Sequence, residues 1–380
     1  MVRQLNGWIG AAASCGVLLA AACGGTGEAQ VLYDPWVADP GPRQPAFLAF
    51  SDQYDGKGPA PIGLPGFPKL LSQTGAFTDP AELVPVSGIV PYEIQAPLWS
   101  DGASKRRWVS LPDGEEFGYT ETEQFDVPPG TVFVKHFEMA LDERAPQERR
   151  RLETRFWVTV RADAQYGVTY KWNEDQTDAE LLVTAETEML DITLADGSVR
   201  TQPYFYPGPG DCVSCHNGRV LGARAAQLNR TTAYTADRPG TSQLAAWSQW
   251  GMLDTRIDIS ATIRGPHLAA YTDQTQPIED RVRSYWDGNC SMCHAGSDGS
   301  VPGWDARFST PFEEQGLERR PSNAASGASS LISPGAPEDS LIYLRGDTTD
   351  QSMRMPPLGR NRVDQAYIAL LGEWIASLPP

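Results

Sequence analysis

The reactive side chains of this 380-residue chain are concentrated in two copies of one string, CVSCH at residues 212–216 and CSMCH at residues 290–294. Each places two thiols three positions apart with an imidazole directly after the second: Cys212, Cys215 and His216 in one copy, Cys290, Cys293 and His294 in the other. That pattern is the attachment signature of haem c. Two thiols at this spacing can form thioethers to both vinyl groups of one porphyrin, and the adjacent imidazole then serves as the proximal iron ligand. The expected cofactors are therefore two covalently attached haem c groups. A thioredoxin-type CxxC would open a helix after a strand in a βαβ unit, which neither copy does. A zinc site built from the four cysteines would have no use for a histidine directly after each pair.

The two remaining cysteines, Cys15 and Cys23, lie at the start of the chain. Arg3 precedes an apolar run over residues 8–22 that is too short to span a bilayer and reads as a signal peptide. Its end, LLAAAC, matches a lipobox, which makes Cys23 the candidate lipidation site and residues 23–66 a tether from a membrane surface. No cysteine is left for a disulfide. With 31 Lys+Arg against 48 Asp+Glu the net charge is −17, which disfavours nucleic acid and anionic membranes and favours partners with a basic docking face.

Around the second motif, two helices are expected. IEDRVRSYWDGN, opened by Pro277, sets Val282, Tyr285 and Trp286 at helical spacing, and VDQAYIALLGEWIASL carries Tyr367, Leu370, Leu371, Trp374, Ile375 and Leu378 on one stripe. Between them, MRMPPLG holds Met355 against two prolines that keep the segment extended, which favours Met355 over Met353 as an axial ligand. This arrangement resembles the class I cytochrome c fold over residues 278–380, and the resemblance implies an all-α domain with His/Met ligation and a high-potential, low-spin haem.

Short alternating segments separated by turn signals, among them KRRWVSLPDG, GTVFVKHFEMAL, LETRFWVTVRA and YGVTYKWN, predict an antiparallel β-sandwich within residues 67–210. The loop WNEDQTDAE could hold Ca2+, but an exposed turn is the simpler reading. Prolines and glycines before Cys212 forbid a preceding helix, so the first motif differs from the second. Residues 211–277 are expected to form a helical segment carrying the first haem. His136, His267 and Met252 are the candidate distal ligands there, and an open sixth position is the further possibility.

Taken in order, FPKLLSQTGAF, PYEIQAPLWSDGASKRRWVSLPDG, PPGTVFVKHFEM, YKWNEDQTDAELL, CVSCHNGRVLGARAAQLNR and RVRSYWDGNCSMCHAG resemble a family of secreted bacterial dihaem c-type cytochromes, often lipoproteins. The resemblance implies export to the periplasm, lipid anchoring to the outer membrane, two haems, and single-electron transfer with periplasmic or surface redox proteins. An alternative keeps the first haem five-coordinate and catalytic, as in dihaem peroxidases, with Glu174, Asp175 and His136 as candidate acid/base groups. A third reading makes the β-rich part a binding module. The expected fold class is multidomain: sandwich, helical haem segment, all-α cytochrome c domain.

Overall fold

Strand formation in the middle of the chain follows from β-branched and aromatic residues alternating between tight turns. The computed structural model describes residues 67–216, 219–232, 240–299, 303–317, 330–357 and 359–379, with the single residues 41, 60, 62, 63, 234, 301 and 328. The expected signal peptide and the lipidated Cys23 lie outside the described residues, as does nearly all of the 23–66 tether.

A short pair, β1 (Phe77–Asp79) and β2 (Val84–Pro85), precedes a six-stranded antiparallel meander: β3 (Ile89–Pro91), β4 (Ser104–Ser110), β5 (Val132–Ala140), β6 (Arg149–Arg161), β7 (Ala164–Trp172) and β8 (Ala179–Leu181), in that spatial order. The WNEDQTDAE loop is the turn joining β7 to β8; Asn173 Oδ1 accepts from the backbone of Thr177 at 3.1 Å and of Asp178 at 3.2 Å. A separate hairpin of β9 (Glu186–Thr193) and β10 (Val199–Tyr206) follows. After it come α1 (Pro209–His216), α2 (Ala225–Leu228), the short strands β11 (Thr231–Thr232) and β12 (Thr241–Ser242), then α3 (Gln243–Gln249), α4 (Ile259–Arg264), α5 (Ile278–Asn289), α6 (Leu341–Gly346) and α7 (Gln365–Ser377).

Both faces of the meander are covered. On one, Trp108, Val132, Val134, Phe156, Val158 and Tyr170 pack with Phe67, Leu71, Phe77 and Leu83 of the preceding segment. On the other, Val109, Phe133 and Trp157 meet Val220, Ala225, Leu228, Leu244, Trp247 and Met252. The layer facing the sheet is thus mostly loop and short helix, with the β9–β10 hairpin covering one end through Leu190, Ile192, Tyr204 and Tyr206 against Phe137, Met139 and Leu152. The expected β-sandwich is corrected to a six-stranded sheet whose second face meets only this two-stranded hairpin besides loop and short helix. The 211–277 segment is likewise less helical than expected, since α2 is one turn long and two short strands interrupt it.

A separate all-α class I cytochrome c domain is absent among the described residues, and this part of the expected multidomain architecture is corrected too. Helices α5 and α7 form where their apolar stripes predict them, with Tyr285 stacked on Tyr367 at 3.6 Å and the Trp286 indole N–H donating to the Tyr367 hydroxyl at 2.8 Å. Yet the loop between β3 and β4 is built into the same core. Trp99 packs against it, the Trp99 backbone N–H donates to Asn289 Oδ1 at 2.7 Å, and Asp101 accepts from the backbone N–H groups of Asn361 and Arg362 at 2.6 and 2.8 Å. A half-buried ion pair of Arg224 with the buried Asp287 ties the α2 region to α5. The described residues accordingly belong to one unit, Leu32–Pro380. None of its described helices is long and apolar enough to cross a membrane.

Candidate functional site

Strand β10 delivers the chain to Pro209, which opens α1 at a position where its missing N–H costs nothing, and Asp211 accepts the Gly208 backbone N–H at 2.9 Å. The helix lies directly on β7. A Cβ built at Gly167 would stand 2.8 Å from Cys212 Cβ, so only glycine lets α1 approach this closely. Cys212 and Cys215 both face a cavity of about 290 Å3 over the sheet.

His216 ends α1 and stacks on Trp157, with ring centroids 3.8 Å apart and planes 18° apart. Trp157 is itself fixed by its indole N–H, which donates to Gln165 Oε1 at 2.6 Å. The His216 Nδ1–H donates to the carbonyl of Arg219 at 3.1 Å, and burial pushes the imidazole pKa down to about 3. The ring is therefore neutral, with its Nε2 lone pair uncommitted, as an iron ligand requires.

The second motif begins where α5 ends. Cys290 caps the helix by donating to the Trp286 carbonyl at 2.7 Å, and the His294 N–H returns to the Cys290 carbonyl at 2.9 Å. The His294 ring lies 4.9 Å from that of Trp304, its Nδ1 is buried without a hydrogen-bond partner, and burial followed by the charge of Arg345 lowers its pKa. The backbone N–H of Met355 donates to the Arg345 carbonyl at 3.0 Å, so this loop and His294 share a neighbour. Met355 is 36% exposed and thus not a core methionine; it does not line the cavity.

Both motifs border that one cavity. Ser291, Met292 and Ala295 line it opposite Cys212, Cys215 and His216, and Arg219 Nη2 donates to the Met292 carbonyl at 3.4 Å across the gap. The expected distal ligands of the first motif are elsewhere. His136 lies on the opposite face of the sheet, its Nδ1 bonded to Thr154 Oγ1 at 2.9 Å; Met252 is a core residue at 1% exposure; His267 sits in an exposed loop with Nδ1 3.3 Å from the Gly265 carbonyl.

The donor chemistry discriminates among the alternatives. None of the four described cysteines is paired in a disulfide, and burial pushes the thiol pKa of Cys212 up to about 11 and that of Cys290 up to about 12. A redox-active CxxC needs the opposite shift. Among the described residues no three His, Cys, Asp or Glu side chains converge as a metal cluster, so the zinc alternative finds no donor set. Two half-buried thiol pairs, each followed by an imidazole whose pKa burial lowers and that lies beside a large aromatic ring, fit a porphyrin tied by thioethers.

What sequence reasoning missed is the floor of the cavity. Arg107, Lys135 and Arg155, from β4, β5 and β6, line it. The available signal was a cation placed two residues from a large apolar side chain in KRRWV, FVKHF and TRFWV, each on a strand otherwise buried. Lys105 is one step further along β4, where its ammonium donates to the carbonyls of Leu98 at 2.7 Å and Ala103 at 3.1 Å.

Burial, reinforced by Arg107 and Arg155 and opposed by Asp101 and Asp364, lowers the Lys105 pKa from 10.5 to about 7. Between those values the unfolded chain holds a proton that the folded chain lacks, so the Lys105 contribution raises stability as pH climbs through this window. The unfolding free energy of the wild type minus that of Lys105→Met is therefore expected to increase by up to about 1.4 kcal/mol per pH unit above pH ~7. Urea titrations at three pH values check this, and a difference that stays flat would refute it.

The chain matches no protein-family model, no curated protein and no solved structure, so the reading of this cavity stands on the chain's own residues.

Proposed function

We propose that the protein is a dihaem c-type cytochrome that passes single electrons in the bacterial cell envelope. The observation that carries this reading is that Cys212, Cys215 and His216 of one CxxCH motif line a single cavity whose wall also takes Ser291 and Met292 of the second, with His216 held neutral and oriented by the Arg219 carbonyl. Each bound haem would supply an iron that accepts and returns one electron. Around the first, Cys212 and Cys215 would hold the porphyrin through its vinyl groups and His216 would offer Nε2 to its iron, while Trp157 keeps that imidazole in place. Around the second, Cys290 and Cys293 would hold the porphyrin, and His294 and Met355, the latter from the Arg345-bonded loop, would be its iron ligands. Soft sulfur on iron favours the ferrous state and a raised potential.

Cys23 would carry the lipid that anchors the protein to the outer membrane, and the acidic surface would steer it toward periplasmic or surface redox proteins with a basic docking face. Support for a catalytic first haem comes from one observation: none of His136, His267 and Met252 lines the cavity beside His216. A stoichiometric high-spin ferric signal with peroxide turnover would select that second reading.

Expression in a host that matures c-type cytochromes tests the proposal directly. Two haems per chain by pyridine haemochrome, retained through acid-acetone extraction, are expected. A colourless product, or pigment that extracts, would overturn it.

A further inference from the structure

Three cations stand side by side on the face of the sheet that floors the cavity. The register places Arg107 of β4 opposite Lys135 of β5, and Lys135 opposite Arg155 of β6. Neighbouring strands are only ~4.8 Å apart, and like charges directly opposite one another destabilise a sheet. In a chain whose net charge is −17, a row of positive charge in which Arg107 is buried and Lys135 and Arg155 are partly buried calls for a physical reason.

Protein carboxylates do not balance it. Arg155 is paired with the buried Glu153, which also accepts from the Tyr204 hydroxyl at 2.8 Å. Arg107 is 8% exposed, and its Nη2 is buried with no hydrogen-bond partner; Glu93, which acts on its charge, is itself paired with Arg230 at 2.6 Å. The Lys135 ammonium lies 5.1 Å from the Phe137 ring centroid and has no ion pair among those found between described residues. Burial, then Arg107, Lys105 and Arg155, hold its pKa well below the usual lysine value. Asp101, Glu123, Asp211, Asp287 and Asp298 also border the cavity, but Asp287 and Asp298 are engaged with Arg224 and Arg307, Asp211 with the Gly208 backbone, Asp101 with the backbone N–H groups of Asn361 and Arg362, and Glu123 is exposed to solvent. Among the ion pairs found between described residues, Glu153 is the one carboxylate that pairs with any of the three cations.

We propose that the row Arg107–Lys135–Arg155 receives two carboxylates of a ligand in this cavity, the propionates of the porphyrin tied to Cys212 and Cys215. This rests on the dihaem reading. Propionates leave a porphyrin at the edge opposite its vinyl groups. With the vinyl edge held by α1 over β7, the row on β6, β5 and β4 extends away from the thiols across the same face of the sheet. Removing one cation favours the ferric state, which carries the extra positive charge, and so lowers the potential of that haem alone.

The test is a redox titration of the matured protein and of Lys135→Gln, Lys135→Arg and Arg107→Gln, with haem content measured for each. Two haems per chain are expected throughout. At a fixed ambient potential, the ferrous-to-ferric ratio of one haem should fall about tenfold in Lys135→Gln and in Arg107→Gln, or about 59 mV for a one-electron couple, and Lys135→Arg should leave it in place. Should Lys135→Gln not fold, Arg107→Gln supplies the same readout. Two haems with both couples unmoved in the glutamine variants would overturn the assignment while leaving the dihaem reading intact. A saturable shift of the wild-type couple by added succinate would also overturn it, because the row would then be open to free carboxylates. A wild type without haem would remove the dihaem reading itself, and this assignment with it.

Discussion

The double variant Cys212→Ala/Cys215→Ala is expected to mature with one haem per chain, and Cys290→Ala/Cys293→Ala with the complementary one. Each substitution removes the only bonds that hold its porphyrin covalently, so the effect is a full equivalent of chromophore and not a fractional loss. Survival of the other site follows from how the two motifs are supported. Cys212 packs with the core between the sheet and α3, whereas Cys290 packs with the α5–α7 core around Trp286 and Leu371. Haemochrome content gives the count, and alkylation followed by mass spectrometry gives its complement: the wild type should expose none of the four motif thiols and each double variant none of the remaining two. Four alkylatable thiols in the wild type would sink the proposal at its root, since in their absence from thioethers nothing else in the chain accounts for CxxCH appearing twice. Retention of two haems in either variant would show that attachment uses other residues.

How far this site was legible in advance depends on whether its chemistry is local. A CxxCH string is a complete instruction within five residues, so both motifs could be read without the fold, as could the stripe of α7, which repeats on the helical period. The strands from Ser104 onward were legible for the same reason, since alternation is a property of neighbours. The layer opposite them was not. The described residues between 209 and 257 form short helices, two short strands and loops whose apolar side chains, Val220, Leu244 and Trp247 among them, carry no periodicity that says they must cover a sheet. Likewise, nothing in the string around Trp99 announces that it enters the core formed by α5 and α7, because the hydrogen bonds to Asn289 and Arg362 that place it span more than 180 residues of sequence. The cationic row is the sharpest case. Arg107, Lys135 and Arg155 become neighbours only through strand register, and a slip of one residue would send them to the other face.

Gly167→Val should cost the first haem while sparing the second. Gly167 does not need glycine for its backbone dihedrals, so space alone decides the outcome. Its missing Cβ would lie 2.8 Å from Cys212 Cβ, 3.0 Å from Cys212 Sγ and 3.0 Å from Trp157 Cε3, distances at which something must move. If α1 lifts from β7, Cys212 leaves the cavity wall; if the indole swings instead, the 3.8 Å stack that holds His216 is lost. Either movement separates thiols and imidazole from the geometry a single porphyrin demands, and we expect first-haem occupancy to fall several-fold, with a stability loss of about 1–3 kcal/mol from overpacking. Gly210→Ala is the matched control. It lies inside α1, two residues from Cys212, and its added Cβ meets nothing within 4 Å, so it should preserve both haems and stabilise the helix by about 0.5–1 kcal/mol. Haem counts and reduced spectra of the two variants, measured side by side, separate crowding between α1 and β7 from any general sensitivity of the helix. A Gly167→Val protein with two haems and a wild-type spectrum would show that the close seating of α1 on β7 is not what builds this site.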